Sequence, residues 1–204
     1  MLKEMHLKQF LWLAIFFMVL IWSAINPKDT LTWFLEVVPA LIGLTIIVFT
    51  RKIFPLTSLL YFLILIHSII LMIGGHYTYA EVPFFDTLKY TFDWSRNNYD
   101  KVGHLAQGFV PVLIAREILI RKHIVNGQAW VNFMSVSIAL AFSAFYELIE
   151  WWVALASEQA AEAFLGTQGY VWDTQSDMAY ALFGAIMALV LLSKVHSRQI
   201  AKLP

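Results

Sequence analysis

Six apolar segments, each long enough to cross a lipid bilayer, constrain the fold of this chain more than any other feature of its sequence. A transmembrane helix needs roughly 20 mostly apolar residues. The six segments cover approximately residues 8–25, 32–50, 57–74, 102–120, 129–153 and 177–193. Only helices and closed barrels satisfy their backbone hydrogen bonds inside lipid. We therefore predict an all-α fold, a polytopic membrane helical bundle of about six transmembrane helices, with residues 1–204 forming a single integral membrane domain.

The composition supports a membrane protein and narrows its chemistry. Apolar residues make up 60% of the chain and charged residues only 14%, against about a quarter charged in a soluble domain. Lysine plus arginine balance aspartate plus glutamate at 14 each, so nothing indicates a nucleic-acid partner, and the expected partner is the lipid bilayer. The absence of cysteine excludes disulfides, thiolate nucleophiles and thiolate metal ligands.

The distribution of lysine and arginine predicts the orientation of the bundle, because cytoplasmic loops carry the excess of these residues. Nine lie at the two termini and in the turns at 51–56 and 121–128, and four lie on the opposite side. Both termini should therefore be cytoplasmic, and the long loops at 75–101 and 154–176 should face outward. We expect the first segment to be retained rather than cleaved as a signal peptide, since its apolar stretch is long and its cleavage signature poor.

Ionisable residues of the fourth and fifth predicted helices come together near the outward surface. Asp100 lies at the outer end of the fourth helix, and His104 follows one turn later on the same face. The fifth helix runs outward, and at about 1.5 Å per residue Glu147 lies about 26 Å beyond Trp130. Glu150 is three residues further on, which places it beside Glu147 on one face. Charged groups within a membrane are costly, so their convergence indicates a site.

Two further segments contribute to this outward group. Asp173 and Asp177 lie at the outer end of the sixth helix, His76 lies at the outer end of the third, and Lys101 follows Asp100. Simpler explanations exist: the aspartates can cap helices, Lys101 can anchor the interface, and His76 can be solvated in its loop. Separate helices that bring ionisable groups to one depth nevertheless favour a shared polar pocket.

Other polar residues also have competing interpretations. Glu150, beside two tryptophans, can lie in the headgroup region, and Glu147 can pair with His104 as a structural hydrogen bond. Glu36, at the start of the second helix, belongs either to the outward group or to the interface. Arg116 lies near the cytoplasmic end of the fourth helix, where its long side chain can snorkel to the interface.

Three motifs in the second half of the chain resemble a known family. They read YDKVGHLAQGF, AFYELIEWW and QGYVWDTQSDMAYALFGAIMAL, in that order. Together they are similar to the YjdF-type family of inner membrane proteins. The resemblance implies a multi-pass protein of the bacterial inner (plasma) membrane.

The same motifs are more distantly similar to the VanZ-like superfamily, which implies a shared site rather than a particular reaction. That superfamily has an Asp-Lys-x-x-His entry to one helix, matched here by Asp100, Lys101 and His104. An internal glutamate in the next helix is matched by Glu147, and an aspartate in the last helix is matched by Asp177.

In the last helix the match to the superfamily is partial. The superfamily has an asparagine and a glycine after the aspartate, whereas this chain has Tyr180 in place of the asparagine and keeps the glycine as Gly184. Small residues let membrane helices approach closely, so we interpret Gly184 as a packing position.

The first of three hypotheses about function is a membrane-embedded enzyme. Its outward-facing Asp/His/Glu pocket acts on an envelope lipid or a cell-wall precursor, through acid–base chemistry or through a divalent metal. Without thiolates, carboxylate and imidazole ligands suit Mg²⁺, Mn²⁺ or Zn²⁺. The predicted catalytic residues are Glu147 and His104. The predicted metal ligands are Asp100, His104, Glu147 and Asp177. The predicted substrate-binding residues are Asp173, Glu150, His76 and Lys101.

Two alternatives stay open. The protein can be a non-enzymatic lipid- or partner-binding protein in which the cluster is a structural polar network. It can also be a proton or cation transporter, since intramembrane acids and histidines serve as relays. Against transport, the polar residues crowd one face of the membrane, and His67 is the only clear polar group at mid-depth.

Overall fold

The computed structural model describes residues 2–156 and 171–203, and it contains helices but no strand within those ranges. In chain order the helices are α1 (Leu2–Ala24), α2 (Thr30–Thr50), α3 (Ser58–Tyr77), α4 (Pro83–Thr91), α5 (Tyr99–Arg121), α6 (Gln128–Ala156) and α7 (Asp173–Ile200). All except α4 are long and apolar enough to cross a membrane. The prediction of an all-α bundle with six spans is confirmed.

Two helices extend well beyond their predicted spans, and the difference matters for the site. The fourth span was predicted from residue 102, but α5 begins at Tyr99. The sixth was predicted over 177–193, but α7 runs from Asp173 to Ile200. The apolar pattern ends where charges begin, whereas the helices continue because those charges have partners. Asp100 and Asp173 therefore lie inside first helical turns.

The segment at 75–101, which was predicted as a long outward loop, contains a short helix. This helix, α4, has nine residues and starts at Pro83. Proline suits a first helical turn because its missing N–H would have no partner there. The second long loop, predicted at 154–176, lies largely outside the described residues.

Helix α5 lies at the centre of the bundle and packs most extensively against α7, then against α6 and α3. Of the six long helices it has the largest buried share, 56% of its span. Its contact with α7 is close because both helices carry glycine there. A Cβ on Gly108 would overlap the carbonyl oxygen of Ala181, and one on Gly184 would overlap that of Leu105. These overlaps agree with the interpretation of Gly184 as a packing position.

Two apolar clusters fill the interior. One joins α3, α5, α6 and α7 through residues such as Leu60, Leu113, Ala139 and Ala185. The other joins α1, α2 and α3 around Phe16 and Met72. Because the large apolar side chains outside these clusters would face lipid, their exposure is expected of a membrane bundle.

Contacts between helix ends show which ends lie together on each of the two sides of the bundle. The backbone N–H of Lys28, before α2, donates to the carbonyl of His76 at the end of α3. At the other side, Glu117 near the end of α5 contacts both Thr57, before α3, and His196 near the end of α7. We call the side with His196 and the C-terminus the terminal side, and the other the opposite side.

Candidate functional site

The first turns of α5 and α7 meet on the opposite side through a buried lysine. Lys101 Nζ lies 2.8 Å from Asp173 Oδ1, 2.5 Å from Asp177 Oδ1 and 3.4 Å from Asp100 Oδ2. Only 8% of Lys101 is exposed. The lysine therefore bridges carboxylates from two helices and is not an interfacial anchor.

A second cation, Arg96, reaches the same carboxylates from the segment before α5. Its guanidinium lies 2.8 Å from Asp173 Oδ1 and 3.2 Å from Asp100 Oδ2. Arg96 was not predicted as part of the site. Because it precedes the first residue of α5, its approach to Asp100 depends on the loop conformation, and helical periodicity does not predict it.

None of the three aspartates caps its helix through its side chain. The N-cap of α7 is Trp172 and that of α5 is Asn98, and neither cap makes a side-chain hydrogen bond. The capping interpretation of Asp100, Asp173 and Asp177 is therefore wrong. Their carboxylates belong to the cluster instead.

His104 lies between these aspartates and α6. Its Nε2 is 3.2 Å from Asp100 Oδ1 and 3.6 Å from Asp177 Oδ2. Its Nδ1 is 3.0 Å from Gln107 Oε1, and an oxygen of this kind only accepts, so Nδ1 carries the hydrogen. Nε2 then faces two carboxyl groups, so the contact needs a second proton on the histidine, a proton on one carboxyl group or a bound cation.

Glu147 approaches His104 from α6. Its Oε1 lies 3.8 Å from His104 Nδ1. Glu147 is only 6% exposed, and this oxygen is buried without a hydrogen-bond partner. Most buried polar atoms are hydrogen-bonded, so each exception needs an explanation.

A cavity of about 180 Å³ adjoins this cluster. Its acidic lining residues are Glu36, Asp100, Glu150, Asp173 and Asp177. Its basic lining residues are Lys89, Arg96 and His104. Acids are in excess, which makes the cavity suited to a cation or to a ligand that brings one. Glu150 thus lines the cavity, as Glu36 does.

Two tyrosines lie near Glu36, and one of them, Tyr79, lines the cavity. Tyr146 donates to Glu36 Oε2 at 2.9 Å. Tyr79 has a positive φ of 58°, and its ring occupies the space left by Gly74 and Gly103. Burial and the Glu36 carboxylate raise the pKa of the Tyr79 phenol well above its ordinary value, which keeps the phenol a hydrogen donor. The sequence analysis did not identify either tyrosine.

The structure does not bring His76 to the cluster, and none of its contacts with the described residues supports its predicted substrate-binding role. Its Nδ1 donates to the carbonyl of Ser23 at 3.0 Å, and its ring packs 4.6 Å from that of Trp22. Successive helical residues point about 100° apart. Gly75 faces Glu36 on α2, and the next residue, His76, therefore faces α1.

A second buried network lies on the terminal side, and the sequence analysis missed it. Arg116 is 1% exposed, so the expectation that it snorkels is wrong. It donates to His196 Nδ1 at 3.2 Å, which leaves the histidine hydrogen on Nε2, 2.9 Å from Glu117 Oε2. Glu117 also accepts from Arg121 and from the Thr57 backbone. These partners fix the ends of α3, α5 and α7 together.

Comparison with known proteins supports the YjdF-type resemblance. The model of the family described as "Predicted membrane protein (DUF2238)" matches residues 8–198. The inner membrane protein YjdF of Escherichia coli (strain K12) is 51% identical over 185 residues, which is 91% of this chain and 88% of that protein. No solved structure matches the chain. The wider VanZ-like resemblance stays a prediction.

Proposed function

Since the chain belongs to the DUF2238 family of predicted membrane proteins and is integral to the inner membrane, we propose that its buried cluster is the site of a cation-dependent membrane enzyme. The cation is divalent, and the substrate is a phosphorylated envelope lipid or lipid-linked cell-wall precursor. One observation carries the proposal. Ligand atoms of Asp100, His104 and Asp177 all lie within 4.8 Å of one another, and the unpartnered Glu147 oxygen lies beside them.

The spacing of these atoms suits a coordination sphere. Neighbouring ligand atoms are about 3.0 Å apart around an octahedral ion such as Mg²⁺, and about 3.3 Å apart around tetrahedral Zn²⁺. The distances from His104 Nε2 to the two aspartates are 3.2 and 3.6 Å. Gln107, which holds the hydrogen of His104 on Nδ1, acts as the outer partner that orients a ligating histidine.

The charge balance also supports a bound cation. Lys101 and Arg96 both contact Asp100 and Asp173, but Glu36, Glu147 and Glu150 add further acid to the same region. Burying uncompensated carboxylates is expensive. A divalent cation at Asp100, His104 and Asp177 would offset two of these charges.

A divalent cation held by Asp100, His104 and Asp177 would polarise a phosphoryl oxygen and lower the pKa of a bound water. Glu147 would take a proton from the water as it attacks phosphorus, and would return the proton to the alcohol that leaves when the phosphate ester bond breaks. The 180 Å³ cavity accommodates a phosphate group or a hydrated ion, and it is smaller than the roughly 300–1,000 Å³ pockets that enclose drug-sized ligands. A lipid substrate would therefore insert only its headgroup. The outward orientation, which the lysine and arginine count favours, makes envelope lipids the accessible substrates.

Metal content tests the proposal. The full chain, purified in mild detergent and supplemented with Mg²⁺, Mn²⁺ or Zn²⁺, is analysed by elemental mass spectrometry beside Asp177→Asn and His104→Ala. We expect about one equivalent in the wild type and its loss in both variants. His123→Ala, which removes an exposed histidine, is the matched control and should retain the metal. A metal-free wild type after supplementation would overturn the proposal.

One observation favours a second candidate, the structural polar network of a lipid- or partner-binding protein. Lys101 and Arg96 bridge the aspartates of α5 and α7 through direct ion pairs. In that case Asp177→Asn would lower the melting temperature, and added metal would leave the melting temperature of the wild type unchanged.

A further inference from the structure

A second cavity opens on the terminal side, far from the carboxylate cluster. It has a volume of about 390 Å³ and lies between the α2–α3 turn and the ends of α5 and α7. Its basic lining residues are Arg121, Lys122 and His123. Its remaining lining residues are apolar, and they include Ile53, Phe54 and Leu203. The cavity thus has a cationic part and a hydrocarbon part.

The cations of this cavity are arranged around one aromatic ring. The Arg121 guanidinium lies 3.8 Å from the centre of the Phe54 ring, and Lys122 Nζ lies 5.4 Å from it. No carboxylate lines the cavity among the residues that the structure describes. Glu117, which binds Arg121, is fully buried beneath it and engaged by His196 as well.

Basic residues at the end of a helix have a simpler role, because they offset the negative end of the helix dipole. That role accounts for Arg121 and Lys122 at the end of α5. It does not account for an apolar wall beside them, formed by residues from the α2–α3 turn and the end of α7. Ile53 is 83% exposed, which places a large apolar surface at the rim of a charged cavity.

We propose that this cavity binds one anionic phospholipid. Its phosphate would contact Lys122, His123 and Arg121, and the glycerol-proximal part of its acyl chains would pack against Ile53 and Leu203. The cavity lies where α3 begins and α5 and α7 end, and the ends of membrane-spanning helices lie near the lipid headgroups. Basic pockets between transmembrane helices at the membrane surface recognise anionic headgroups in this way. The proposal is independent of the cation site on the opposite side.

Native mass spectrometry of the full chain in mild detergent tests this site. Dioleoylphosphatidylglycerol is the probe, and dioleoylphosphatidylcholine and inorganic phosphate are compared with it. We expect one phosphatidylglycerol to be retained, with about fivefold weaker affinity in Lys122→Gln, since one basic residue near an anionic lipid surface contributes about that factor. His123→Gln should weaken binding in the same direction.

The matched control is Lys194→Gln, which removes an exposed lysine on the same side that does not line the cavity. It should bind phosphatidylglycerol like the wild type. Equal weakening in Lys122→Gln and Lys194→Gln would mean general surface attraction and would overturn the proposal. Equal retention of phosphatidylcholine would also overturn it. If inorganic phosphate bound as tightly as phosphatidylglycerol, the ligand would be a free anion and the phospholipid proposal would be overturned.

Discussion

At the scale of single residues, Glu147 and Asp173 differ in how their buried carboxylates are satisfied. Asp173 accepts from both Arg96 and Lys101. Glu147 has an oxygen without any hydrogen-bond partner. A buried polar atom with a hydrogen-bond partner contributes to folding, whereas one without a partner costs free energy. This difference separates residues that hold the cluster together from the residue available for chemistry.

The contrast predicts that two conservative substitutions have unequal effects on stability. Asp173→Asn should lower the free energy of unfolding by about 2–4 kcal/mol, because two cations lose a shared carboxylate. Glu147→Gln should change it by less than about 1 kcal/mol, because Oε1 has no hydrogen bond to lose. Thermal unfolding in mild detergent measures both, and the reverse ranking would contradict these assignments.

Sequence reasoning identified the central residues of the cluster but not their supports. Asp100, His104, Glu147 and Asp177 were predicted together, because helical rise and periodicity place them at one depth. The structure brings them within a few ångströms of one another. Tyr79 could not be predicted, since its position depends on a backbone with positive φ in the loop after α3.

At the scale of helices, α5 and α7 are fixed to each other at both ends and at the middle. Lys101 joins them on the opposite side, and the contact between His196 and Glu117 joins them on the terminal side. Between these contacts Gly108 and Gly184 allow the backbones to touch. The α5–α7 pair is therefore the rigid frame on which the cluster is built.

Glycine substitutions test the close contact of this pair. Gly108→Ala should cost about 2 kcal/mol or more, because its Cβ would meet the backbone of Ala181, which cannot rotate away. Gly43→Ala is the matched control on α2, where an added Cβ meets nothing within 4 Å. It should be neutral or stabilise by up to about 1 kcal/mol through helix propensity. Equal effects on the melting temperature would contradict the packing.

Hydropathy predicted the spans because lipid demands long apolar helices, but it could not predict how charged residues within a span are paired. Arg116, which was expected to snorkel, and Glu117, which was not identified, show the reason. They lie within a predicted span, and their burial depends on His196, which is about 80 residues away in sequence. Pairing across helices is a tertiary property that a local pattern does not contain.

At the scale of the whole molecule, two polar networks lie at opposite ends of an apolar core. The cluster around Leu60, Leu113 and Ala185 separates them. The carboxylate cluster lies at the first turns of α5 and α7, at one end of the bundle, and this position favours a site at one surface over a transport pathway. The side on which the site faces is set by the orientation of the bundle.

The absence of cysteine makes this orientation directly measurable. We expect Asp93→Cys, in the exposed loop after α4, to react with a membrane-impermeant maleimide in spheroplasts. We expect His123→Cys, on the terminal side, to react only after permeabilisation, because the lysine and arginine count places that side in the cytoplasm. The opposite labelling pattern would place the cluster on the cytoplasmic face.

The proposed site binds a divalent cation through His104 together with the aspartates of α5 and α7. Pulsed electron paramagnetic resonance of the purified chain with one equivalent of Mn²⁺ tests this coordination. We expect nitrogen coupling from one imidazole, lost in His104→Gln and kept in His123→Gln. Bound Mn²⁺ without nitrogen coupling, or coupling that survives His104→Gln, would contradict it.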